Sequence, residues 1–201
     1  MVHLINQQIY EIPLVFVQGD RDPEGEAKIA ATRLGNLLKE NGWGVSLGAY
    51  GGFVKVLEET GVPCLCHETE IKDHGDVKFK KSPYINFKPV AESVSNLLGG
   101  GIYSNALKEI SWANRLGTWM ATSQAYCFFA GREGTLAHLI PVLSFNAKSW
   151  TKTKPRKVAL IGWNREDLKA IMHLYNLYGD TPWFMYYDLN LVDQAVNFLI
   201  S

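Results

Sequence analysis

An α/β architecture, a doubly wound and mostly parallel sheet with helices on both faces, is what this sequence predicts. Short continuous apolar runs recur along the chain, as strands buried on both faces require. Stretches with three- and four-residue apolar spacing alternate with them, and glycine turns stand at the junctions. The first run, Ile12–Val17, is a strand closed by the turn Gly19-Asp20-Arg21-Asp22-Pro23. Pro23, Glu24 and Glu26 open a helix that carries Ile29, Ala30, Leu34, Leu37 and Leu38 as far as Asn41-Gly42. Trp43–Leu47 is the second strand. Gly48, Gly51 and Gly52 follow, then a helix with Phe53, Val54, Val56 and Leu57 that ends at Gly61. Val62–Cys66 is the third strand.

From about residue 67 to 89 the pattern is lost, and lysines mix with Tyr84 and Phe87. This excursion is either a solvated loop or a lid over an anionic ligand. Val90–Leu98 reads as helical up to Gly99-Gly100-Gly101. Ser104 or Asn105 caps a further helix with Leu107, Ile110, Trp112, Leu116 and Trp119. Ala125–Phe129 is the fourth strand, and a helix starting near Gly134-Thr135 carries Leu136, Leu139, Ile140 and Leu143. A basic loop, Lys148–Lys157, leads to a strand at Val158–Gly162 and a helix from Asn164 or Asp167 to Tyr178. A short strand, Trp183–Tyr187, and a helix through Val192, Val196, Phe198 and Leu199 complete the pattern. One domain over residues 1–201 is expected.

Composition narrows the function classes. Lys plus Arg and Asp plus Glu number 20 each, so no global basic footprint points to nucleic acid. No apolar run is long enough to span a membrane, and the first residues lack a secretory pattern. The three cysteines make neither a disulfide framework nor a metal-ligand spacing. A cytoplasmic protein with no metal and no resident cofactor is expected.

The segment Ala130-Gly131-Arg132-Glu133-Gly134-Thr135 carries the most chemistry. A strand that breaks at glycine and enters a helix presents backbone N–H groups at the positive end of the helix dipole, which suits a phosphate. Gly131 and Gly134 are expected to allow close ligand approach. Thr135 either caps the helix or donates its hydroxyl to a phosphate oxygen. Arg132 either grips an anion or forms a surface pair with Glu133. Plain strand-to-helix punctuation is the competing explanation for the whole segment. Asp20 and Arg21 sit beyond a strand's carboxyl end, where open sheets bind ligands; they are otherwise a simple turn pair. Some of the 6 Trp and 9 Tyr, such as Tyr50, Tyr103, Trp112 and Trp119, either stack on a base or pack the core.

The order of these turns resembles the Lonely Guy and lysine-decarboxylase-like family, within the SLOG group of Rossmann-like folds. The family signature P-G-G-x-G-T-x-x-E falls on Ala130–His138, and Arg115 stands fifteen positions before Ala130, where that family has an arginine. Gly48-Ala49-Tyr50-Gly51-Gly52 echoes the family's glycine-rich turn after the second strand. The resemblance covers about residues 12 to 162. It implies a Rossmann-like sheet, a nucleotide ligand and a homodimer or larger homo-oligomer. In phosphoribohydrolase members, the arginine and the signature glutamate help water release base from a nucleoside monophosphate. Here His138 replaces the glutamate, so a fixed negative charge is lost although a general base remains conceivable.

Two function classes follow. One is a binder that senses, carries or sequesters a nucleotide or ADP-ribose-type signal through Gly19, Asp20, Arg21, Gly48, Gly51, Gly52, Arg115 and Gly131–Thr135. The other is a nucleotide N-glycosidase with Arg115 and His138 as catalytic groups. A vestigial pocket on a fold that serves assembly is a third possibility.

Overall fold

A computed structural model describes residues 12–20, 22–48, 52–67, 119–120, 122–147, 154–177 and 181–201. Six strands form one sheet: β1 (Leu14–Gln18), β2 (Gly44–Gly48), β3 (Cys64–His67), β4 (Ala125–Phe129), β5 (Lys157–Ile161) and β6 (Phe184–Tyr187). The helices are α1 (Gly25–Glu40), α2 (Gly52–Glu59), α3 (Glu133–Ala147), α4 (Arg165–Leu174) and α5 (Val192–Ile200). A 3₁₀ turn, Leu189–Leu191, precedes α5. All the strand pairings are parallel and the order is β3-β2-β1-β4-β5-β6. This is the doubly wound, Rossmann-like arrangement that the alternating pattern predicts.

Strand side chains alternate between two cores. Val15 and Val17 join Leu34, Leu38, Leu57, Val196 and Leu199 on the face covered by α1, α2 and α5. Phe16, Phe128 and Leu160 point the other way, onto Leu139, Leu143, Ile171 and Trp119. Burial on both faces explains why the strands read as unbroken apolar runs. Fully burying a leucine such as Leu34 or Leu139 stabilises the fold by roughly 1.5–3 kcal/mol.

Several boundaries differ from the sequence expectation for local reasons. Pro23 does not open α1; Glu24 supplies the extended N-cap residue and the helix starts at Gly25. β3 starts at Cys64, after Val62 and Pro63, because Pro63 has no N–H to give to the ladder. Strand β5 begins one residue early, at Lys157, in register with Ala125. α4 stops at Leu174 instead of Tyr178, since Asn176 adopts a left-handed conformation with φ 51°. At its other end, Asn164 Oδ1 accepts from the N–H groups of Glu166 and Asp167. The expected helices at Val90–Leu98 and from Ser104, and the excursion at 67–89 beyond His67, lie outside the described residues. No described helix is long and apolar enough to cross a membrane.

Candidate functional site

β1 and β4 are neighbours in the sheet but far apart in the chain, and the connections that leave them pass to opposite faces. Such a switch point opens a crevice outside the carboxyl ends of the strands. A cleft of about 420 Å³ lies there. Val17, Gln18, Gly19 and Asp20 contribute from the end of β1, and Arg132, Glu133, Gly134 and Thr135 from the start of α3. Leu47 of β2, with Phe53 and Val54 of α2, forms an apolar wall.

The α3 start has a definite geometry. The helix begins at Glu133, one residue before the expected position, and Thr135 and Leu136 donate to the Arg132 carbonyl at 2.9 and 3.1 Å. The amides of Glu133 and Gly134 precede any intrahelical acceptor. Arg132, Glu133 and Gly134 are exposed.

The two glycines of this loop have different reasons to be glycine, and neither has a positive φ. A side chain at Gly131 would overlap Thr135 Oγ1 and crowd the Asp20 amide at 3.3 Å. Gly131 therefore lets the loop close on the helix; it does not clear space for a ligand. Gly134 has nothing within 4 Å of its missing Cβ, so of the two it is the one that leaves open room at the cleft. Gly19 is a packing glycine too, with the Phe53 ring 2.7 Å from the place of its Cβ.

Thr135 also departs from expectation. Its buried hydroxyl donates to the Gly19 carbonyl at 3.2 Å. The hydroxyl hydrogen is thus committed to joining the two lips of the cleft and does not point to a phosphate.

His138 lies outside the cleft lining. It is 5% exposed, and its ring sits 4.6 Å from the Trp119 ring and 6.1 Å from Phe16. Nδ1 carries a hydrogen, because it donates at 2.6 Å to the Gly134 carbonyl, which only accepts. Of the other expected ligand residues, Gly48 ends β2 and Gly52 starts α2. Arg21, Gly51 and Arg115, with Tyr50, Tyr103 and Trp112, lie outside the described residues. Phe53, Val54, Leu47 and Gln18 were not expected at the site. Phe53 follows a glycine turn, which was the one available signal, but helical spacing alone assigns it to the core.

Elsewhere, a groove of about 640 Å³ separates α1 from the turn before α5 at the β5 and β6 ends. It holds the exposed Arg33–Asp193 pair at 2.7 Å, and Val192 and Asp193 at the start of α5 line it. Cys127 is fully buried in β4, and that burial pushes its thiol far above the usual range. No cluster able to hold a metal occurs among the described residues.

No family model and no curated protein matches this chain. Solved structures do. The molybdenum cofactor carrier protein of Chlamydomonas reinhardtii superposes at a TM-score of 0.56 with 18% identity, covering 94% of this chain and 98% of that one. DNA processing protein A of Helicobacter pylori, a single-stranded DNA binder, superposes at 0.59 with 10% identity, covering 97% and 84%. At these identities the likeness is one of architecture: this chain has the same Rossmann-like α/β fold as both.

Proposed function

We propose that the protein binds a nucleotide or ADP-ribose-type derivative in the switch-point cleft, and carries or sequesters it without turning it over. The observation that carries this reading is the meeting of the β1 end with the exposed start of α3 in one cleft of about 420 Å³. That volume suits a small ligand. First-turn amides and the helix dipole favour a phosphate beside Gly134, and the exposed Arg132 fork adds a guanidinium at the mouth. Leu47, Phe53 and Val54 offer an apolar wall for a base. A solved structure named as a cofactor carrier on the same fold supports binding as the task. The balance of 20 basic and 20 acidic residues favours a small ligand over a nucleic acid.

Binding is preferred to hydrolysis because His138 faces Trp119 and Phe16 and gives its Nδ1 hydrogen to Gly134. The resemblance to the Lonely Guy group, which this reading takes as remote kinship, adds a homodimer. A monomer in sedimentation at micromolar concentration would remove that part.

The main experiment is to denature the purified protein and identify released small molecules by mass spectrometry. Intact nucleotide or nucleotide derivative is expected, and added AMP should bind and remain intact. Free adenine from AMP would restore the glycosidase. A protein that releases no nucleotide and binds none in calorimetry would sink the proposal.

A further inference from the structure

β6 is an outer strand of the sheet, paired only with β5 among the described residues. Its backbone groups alternate. The Trp183 and Tyr187 carbonyls accept from Val158 and Gly162, so residues 183, 185 and 187 turn their groups towards β5. Residues 184, 186 and 188 turn theirs outwards. Local turns consume part of that outward set. The Phe184 N–H donates to the Thr181 carbonyl at 3.0 Å, and the Asp188 carbonyl accepts from Leu191 at 2.9 Å. What remains is the Phe184 carbonyl, both groups of Tyr186 and the Asp188 N–H, with Asp188 still extended at φ −70° and ψ 160°. Outer strands are usually blunted by a charge, a proline or a bulge. Trp183–Tyr187 carries no charge and no proline, and its register with β5 is unbroken. Met185 and Tyr186 are 44% and 55% exposed.

We propose that β6 is a homodimer face, on which the β6 of a second copy adds antiparallel about a two-fold axis at Tyr186. The free groups specify that occupant, because their order along the strand complements its own reverse. Each Tyr186 N–H meets the other copy's Tyr186 carbonyl, and each Asp188 N–H meets a Phe184 carbonyl. The turn bonds stop the pairing at both ends, so no outward group is left over. Side chains fit the same axis. The Tyr186 rings meet across it on one side of the joined sheet. On the other side each Met185 lies opposite a Tyr187, a sulfur–aromatic pair. An isologous contact of this kind closes at two copies. It gives the homodimer of the preceding proposal a place and is independent of the ligand.

Sedimentation velocity over the micromolar range, with circular dichroism as the folding control, compares the wild type with Tyr186→Pro and Met185→Lys. Proline removes the central N–H, which β5 does not use; lysine sets like charges across the axis. The wild type should dimerise, and each folded variant should raise the dissociation constant at least tenfold. Met185→Lys keeps the test valid if Tyr186→Pro disturbs folding. Paired Tyr186 residues have Cα atoms about 5.5 Å apart, within reach of a disulfide. Oxidised Tyr186→Cys should therefore run as a linked dimer on a non-reducing gel. The wild type and Leu174→Cys, exposed at the end of α4, should not. A wild-type dimer that is unchanged in both folded variants, or that Tyr186→Cys fails to link, overturns the inference and leaves the homodimer standing through another face. A monomeric wild type overturns both, whether or not an unrelated extended peptide binds β6.

Discussion

At the amino ends of β1, β4 and β5, one arginine gathers the chain. The Arg156 guanidinium donates to the Met120 carbonyl, to the Ser123 carbonyl at 2.7 Å and to the Tyr126 hydroxyl at 3.0 Å. Asn146 pairs with both backbone groups of Arg156, and Leu14 and Gln124 exchange two hydrogen bonds. At the carboxyl ends of the same strands, the first amides of α3 face a cleft and Gly134 looks onto open space. One end spends its polar groups on itself. The other leaves the first amides of α3 exposed. The difference teaches that a buried end must pair its polar groups, because burial without partners is costly, whereas the exposed end is the one on which the binding proposal rests.

The contrast breaks most visibly at Arg156. Arg156→Met should cost about 3 kcal/mol in urea denaturation, since it strips donors from two carbonyls and a hydroxyl at once. Burial already raises the Tyr126 phenol, and Arg156 opposes that rise, so the variant should titrate still higher in ultraviolet absorbance. Gly131→Ala should destabilise by about 2 kcal/mol, because Thr135 must shift from the new methyl. Gly134→Val sharpens the comparison from the other side. It should leave the melting temperature nearly unchanged while lowering nucleotide affinity at least tenfold, about 1.4 kcal/mol. Unaltered affinity in the folded variant would remove the loop from the site.

The smallest effect belongs to the exposed Arg33–Asp193 pair, two hydrogen bonds at 2.9 and 2.7 Å on the groove away from the cleft. Hydrogen bonding to Arg33 holds the Asp193 carboxyl below its ordinary value. A depressed carboxylate adds stability above its unfolded pKa and loses it as pH falls through the folded one. Asp193→Asn should therefore differ slightly from wild type at neutral pH and not at all in strong acid, as comparison of urea midpoints would check.

Most of the sheet was legible because parallel strands buried on two faces leave unbroken apolar runs, as at Val15–Val17 and Tyr126–Phe129. Ends were harder: Pro63 and Asn176 act through single backbone requirements that spacing does not reveal. At the site, Asp20, Arg132, Glu133 and Gly134 could be named from their turns. The roles of Gly131 and Thr135 could not, since both depend on contacts across the switch point with Asp20 and Gly19. Phe53 was missed for a similar reason: a helix's first apolar residue faces a cleft or a core according to its neighbours.

The bond from Thr135 to Gly19 spans 116 positions, and β1 cannot be flanked on both sides until β4 exists. On the ribosome, the first strand must wait, with one edge unmatched, while the intervening hundred or so residues are made. Long-range closure of this kind slows folding. A chain cut short before Thr135 would hold most of the α1 layer and lack one lip of the cleft, so nascent or truncated copies should not show the proposed binding.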